Sequence, residues 1–256
     1  MAVNIDGDTG IDKVQPGTID SADFGPGVIT APAIATSAVT APKVAGADGS
    51  AGQYLQSDGD GTMSWITAAA GGFSNMDVFT SPGTWTNPGN VEKVKVTVVG
   101  GGGSAGTAPA YNTGSGAGGG GAAIEVVPFP TATNVTVTVG GAGGTSSFGA
   151  YTSATGGSSA SPVPGNPIGK GGAAGTGSGG QVNMSGQGGI HTIAVGRGGT
   201  GGSSILGGGG LGAAGSGTPA AGGAGGNYGG GGGGAYAQDN PSAGGTGAPG
   251  VVIVEY

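Results

Sequence analysis

The chain has 256 residues, of which 69 are Gly, while only 7% are charged and 5% aromatic; an ordinary domain has about 25% charged residues and about 7% Gly, so this is not the composition of an average enzyme. The absence of Cys and the single His, His191, exclude disulfides, cysteine-based zinc sites, thiol catalysis and multi-histidine metal sites. The net charge is −7, and the six cations are Lys13, Lys43, Lys93, Lys95, Lys170 and Arg197, too few and too scattered to track a nucleic-acid backbone.

Residues 1–48 are rich in Asp, Ala, Thr and Pro and poor in large side chains. Such a stretch cannot bury enough surface alone to offset about 1–2 kcal/mol of backbone entropy per ordered residue. Two related units, Val28-Ile29-Thr30-Ala31-Pro32 and Ala38-Val39-Thr40-Ala41-Pro42, favour folding against other copies of the chain over a low-complexity linker. The N-terminus has neither a basic region nor an apolar one, so no secretory signal is read. No apolar run reaches the roughly 20 residues that span a bilayer. If the protein acts outside a cell, it leaves by another route, such as release inside a virion.

Residues 49–72 read as a short hairpin. Ser57-Asp58-Gly59-Asp60-Gly61 is a turn signal between Tyr54-Leu55 and Met63-Ser64-Trp65-Ile66. An isolated two-stranded hairpin is marginal in water.

Residues 73–256 form the third region, with a β frame and a glycine filling. Val91–Val99 alternates at period two, and Ala123–Val127, Val135–Val139 and Val251–Glu255 are further β-branched runs bounded by Gly or Pro. Fourteen Gly precede residue 100 and 55 lie in residues 100–256. Without a strict Gly-X-Y period a collagen helix is not expected. The runs are either flexible linkers or extended threefold helices packed backbone to backbone and joined laterally by amide hydrogen bonds. Interspersed apolar residues such as Ile190, Ile205, Leu206 and Leu211, and the rarity of very long structureless loops in compact domains, favour the ordered lattice.

The motifs of catalysis are weak. Repeated GxGxxG matches follow from composition. Gly165–Gly171 imitates a phosphate loop but is one residue short and lacks the Ser/Thr after Lys170. Asp6–Asp12 has calcium-like spacing without the closing Glu. His191 reads as the top of a short strand, and Glu92, Glu125 and Glu255 as a solvent-facing set rather than a glycosidase pair. No catalytic residue, no metal and no cofactor are expected.

What remains is binding. Loops carrying Tyr, Asn, Gln and other non-Gly residues interrupt the glycine body, and their composition is that of adaptable recognition surfaces. The candidate contact residues are Tyr111, Asn112, Asn166, Met184, Gln187, Tyr228, Tyr236, Gln238, Asp239 and Asn240.

Phe79-Thr80-Ser81-Pro82-Gly83-Thr84-Trp85-Thr86, then Val94–Gly103, then a glycine-rich body, then Pro249–Tyr256, together resemble the glycine-rich C-terminal domain of bacteriophage tail fibres. The segment Gly49–Trp65 and the Thr-Ala-Pro units resemble fibre-shaft repeats. The glycine body is also similar to tip adhesins of some T-even-like phages, whose glycine helices form a polyglycine II sandwich with receptor-contacting loops at its end. The resemblance implies a mostly β and irregular fibrous homotrimer with a thin N-terminal shaft and a β-framed, polyglycine II-like receptor-binding domain. It also implies attachment to tail or baseplate proteins through the N-terminal zone, and a bacterial surface glycan or outer-membrane protein as receptor. Nucleic acid is not an expected partner. Rival readings are an ice-binding or other structural glycine-rich protein and a polysaccharide-cleaving tailspike. Thermal hysteresis or release of reducing sugar would distinguish them.

Overall fold

A computed structural model describes residues 49–59, 63–67, 73–89, 91–129, 134–161, 169–192, 196–215 and 217–256. The Thr-Ala-Pro units, the aspartates near the N-terminus, and Asn166 with residues 165–168 of the phosphate-loop mimic lie outside the described residues. The chain divides into two units, Met1–Gly71 and Gly72–Tyr256. The described residues contain strands and extended segments and no helix.

In the first unit β1 (Gln53–Ser57) pairs antiparallel with β2 (Met63–Thr67), Gln53 opposite Thr67 and Ser57 opposite Met63. Gly59 takes φ +82°, a left-handed conformation open to Gly at little cost. The Ser64 hydroxyl donates to Asp58 at 2.6 Å, which ties the turn to the second strand. The Trp65 ring lies against Gly49, where a Cβ would come within 2.6 Å of it. Tyr54, Met63 and Ile66 stay exposed.

The second unit has two antiparallel five-stranded sheets, neither closed on itself. One has the order β11 (Val182–Met184), β6 (Ala122–Pro128), β5 (Lys93–Val99), β12 (Val251–Glu255), β3 (Met76–Phe79). The other runs β10 (Gly177–Ser178), β9 (Thr152–Ala154), β8 (Ser146–Phe148), β7 (Asn134–Thr138), β4 (Gly83–Thr86). The alternation read at 91–99 places Val94, Val96 and Val98 in the core, where they meet Val252 and Val254 of β12 and, from the other sheet, Trp85, Val135, Val137 and Phe148. Trp85 is the hub, with ring centroids of Phe129, Phe148 and Tyr256 at 5.4, 5.9 and 5.7 Å. Burial of these side chains drives the sandwich together, at about 1.5–3 kcal/mol for each large one.

Beyond the sandwich the glycine body is ordered. Segment 114–121 sends hydrogen bonds to three neighbours and receives them from three others, each neighbour being met by every third residue. Gly114, Ala117 and Gly120 donate to the carbonyls of Ala235, Gly232 and Gly229; Gly116 and Gly119 donate to Ile190 and Gln187; Gly118 and Gly121 donate to Ser158 and Thr155. In return Gly199 and Gly202, Gly172 and Gly175, and Gly103 and Gly100 donate to its carbonyls. Period three is the repeat of extended threefold helices. Segment 229–237 likewise has six neighbours. The remaining segments bond to one another in a closed ring around these two. The bonding pattern gives three layers: 155–161, 100–106 and 242–250; then 169–177, 114–121, 229–237 and 220–227; then 185–192, 196–204 and 207–215.

This lattice demands Gly because its backbones touch. A Cβ on Gly116 would sit 1.8 Å from the Thr200 carbonyl oxygen, and one on Gly120 1.9 Å from that of Gly100. Residues with large side chains favour outward positions, which recur every third residue: Lys170, Ala173 and Thr176 are exposed while Gly169, Gly172 and Gly175 are buried; the non-Gly residues that are buried inside are small, such as Ser115, Ala117 and Ala235. His191 also lies on an exposed segment of this kind, not on a strand as its sequence context implied.

Candidate functional site

The lattice has two unlike ends. Strand β5 runs directly into 100–106, segment 114–121 into β6, β9 into 155–161, and 242–250 into β12. One end is therefore sealed by the sandwich. At the other end the chain turns back between segments, and among the described residues these turns are 107–113, 217–219 and 238–241.

Tyr111 sits on the first of these turns. Its φ is +62°, the one left-handed non-Gly residue among those described, and its side chain is 73% exposed. Two bonds fix it: its amide donates to the Gln238 carbonyl at 2.7 Å, and its hydroxyl donates to Asp239 Oδ1 at 2.9 Å. The hydrogen bond to the Asp239 carboxylate, reinforced by its charge, raises the Tyr111 phenol above its ordinary pKa of 10.0. A left-handed backbone at a non-Gly residue is held only where its surroundings over-determine it, and here turn 238–241 supplies both bonds.

The rest of the turn is equally tied. Asn112 donates from its side chain to the Ala110 carbonyl at 3.0 Å and accepts at its carbonyl from the Ala237 amide at 2.9 Å. Tyr236 exchanges backbone bonds with Ala220, and its ring lies over Gly215, where any Cβ would collide with it. The Gln238 side-chain oxygen is buried without a partner. Asp239 and Asn240 are exposed. Asp239 is the single carboxylate of the lattice, since residues 129–250 hold no other Asp or Glu.

The structure thus brings together Tyr111, Asn112, Tyr236, Gln238, Asp239 and Asn240. It separates from them Met184 and Tyr228, which pack on Val99, Ala122 and Val251 at the sandwich end. Gln187 lies near that end too, on an outer layer, where its amide donates to the Ser203 carbonyl at 2.8 Å. These three do not share a surface with Tyr111.

Sequence reading passed over a groove on the flank. Ser158, Ser159, Ser161, Lys170, Gly171, Gly172 and Ala173 line a cavity of about 400 Å³ between 155–161 and 169–177. The signal that finds it is the period of three: in a threefold helix residues i and i+3 share one side, which aligns Ser158 with Ser161 and Lys170 with Ala173. Among the described residues no cluster of side chains suited to a metal ion occurs.

A family model described as a glycine-rich domain matches residues 77–256, the sandwich and the lattice together. No curated protein matches the chain.

Proposed function

The chain belongs to the glycine-rich domain family, and from that premise we propose that it is a receptor-binding protein of a bacteriophage tail fibre that attaches the virion to the bacterial surface. The observation that carries this reading is the free end of the lattice: an exposed aromatic and a carboxylate, Tyr111 and Asp239, locked to each other on turns held by a rigid bed of hydrogen-bonded backbones. Sites on rigid elements recognise ligands at a lower ordering cost than sites on mobile loops. Tyr offers a flat face and a hydroxyl to a glycan or a protein loop.

In this reading residues 1–48 join the fibre to other tail or baseplate proteins, 49–72 contribute a shaft element, and three chains associate so that weak sites gain avidity. The tip binds and does not cleave. The exposed apolar residues of the hairpin, Tyr54, Met63 and Ile66, support association with other copies, because a lone hairpin gains little stability.

The test is adsorption of the fluorescently labelled full chain to a panel of intact bacteria. Tyr111→Ala and Asp239→Ala are expected to reduce binding to a susceptible strain about tenfold or more while the melting temperature falls only slightly; undiminished binding by both variants removes this tip from the reading. Light scattering should give three times the 23.2 kDa chain mass, and a monomer would refute the trimer.

A further inference from the structure

We propose that the flank groove between 155–161 and 169–177 is a second binding site, and that it takes a single acidic sugar unit of the uronic acid type. Its volume, about 400 Å³, falls within the roughly 300–1,000 Å³ of small-ligand sites. Its floor is fixed: the Ser158 amide donates to Ala173 at 2.8 Å, the Gly172 amide donates to Gly116 at 3.0 Å, and Ser161 and Lys170 pair as an isolated antiparallel bridge.

The walls set the ligand chemistry. Ser158, Ser159 and Ser161 are exposed, and their hydroxyls make no hydrogen bond to any described residue. Each can both donate and accept, which suits the hydroxyls of a sugar ring. Lys170 has no carboxylate partner among the described residues, where the ion pair is Lys95–Glu255, and the undescribed loop 162–168 contains no Asp or Glu. An ammonium without a carboxylate partner beside three hydroxyls without a hydrogen-bond partner, among the described residues, matches a polyhydroxylated monoanion. A polyanion would call for more cations or for the fork of an Arg, and among the described lining residues an apolar ligand would find only Ala173 to pack against. Asp239 belongs to turn 238–241 and lies outside this lining, so the tip and the groove differ in charge.

This inference rests on the adhesion reading only for where such a sugar is met, in an acidic host polysaccharide; the binding itself is testable apart from it. The experiment is isothermal titration calorimetry of the full chain with sodium glucuronate, glucose and inorganic phosphate as separate probes. Glucuronate is expected to bind at least about tenfold more tightly than glucose or phosphate. Lys170→Gln should abolish that preference, Lys170→Arg should keep most of it, and the Ser158→Ala/Ser161→Ala double variant should weaken glucuronate severalfold. Tyr111→Ala should leave glucuronate binding unchanged, which separates failure of the groove from failure of the tip. Equal binding of glucose would overturn the role of Lys170, equal binding of phosphate would overturn a sugar site, and an unaltered signal in Lys170→Gln would place the contact elsewhere.

Discussion

The sandwich and the lattice are held by opposite means. In the sandwich the backbone sets strands a fixed distance apart and side chains fill the space, with Trp85 and the valines of β5 and β12 at its centre. In the lattice the buried side chains are small, such as Ser115, Ala117 and Ala235 of the central segments, and carbonyls and amides of neighbouring segments fill most of the centre. Each backbone hydrogen bond contributes only about 1 kcal/mol net, so the lattice depends on many forming at once. A mutation that removes atoms is thus costly in the first region, and one that adds atoms is costly in the second.

Gly116→Ala should give the largest effect. The added carbon would meet the Thr200 carbonyl oxygen at 1.8 Å, and because backbone on all sides cannot yield cheaply, a loss of at least about 3 kcal/mol is expected. Urea unfolding of the variant checks this, and a wild-type midpoint would show that the segments are not in contact. Trp85→Ala comes next, at about 3–5 kcal/mol by cavity formation, read by the same measurement. Gly208→Ala inverts the lattice rule: nothing lies within 4 Å of a Cβ there, so a gain of about 0.4–1 kcal/mol is expected from the narrowed unfolded ensemble. A destabilised Gly208→Ala variant would break the distinction between inner and outer glycines.

The smallest effect concerns Tyr111. Its folded pKa is raised above 10.0 by Asp239, so the stabilisation from their bond is present below pH 10 and is lost as pH rises through the raised value. Spectrophotometric titration should show two phenols, Tyr111 and Tyr256, ionising late in the wild type, and only that of Tyr111 returning towards the ordinary range in Asp239→Asn. An unchanged titration curve in that variant would mean the bond does not form.

The strand runs are legible in sequence because β-branched alternation signals a half-buried strand: β12 has the bounds expected, and β5 begins at Lys93 instead of Val91. Strands β8 to β11 are built largely from Ser, Gly, Thr, Ala and Asn, with no periodic signal, and were not foreseen. The lattice can be recognised from composition as one of two outcomes, but the order of its segments cannot, since one glycine run matches any other. The candidate site suffers from the same blindness. Tyr111 and Asp239 are 128 residues apart and meet because segments alternate in direction, which sends the loops of Met184 and Tyr228 to the other end.

The two central segments, 114–121 and 229–237, each bonded on six sides, have a kinetic consequence. Their partners come from both halves of the region, so neither can be completed by local contacts, and the loop-closure cost falls before the reward arrives. Folding is accordingly slow. The reverse step must part a closed ring of segments before either centre is freed, so the native state persists by a high unfolding barrier as much as by its depth.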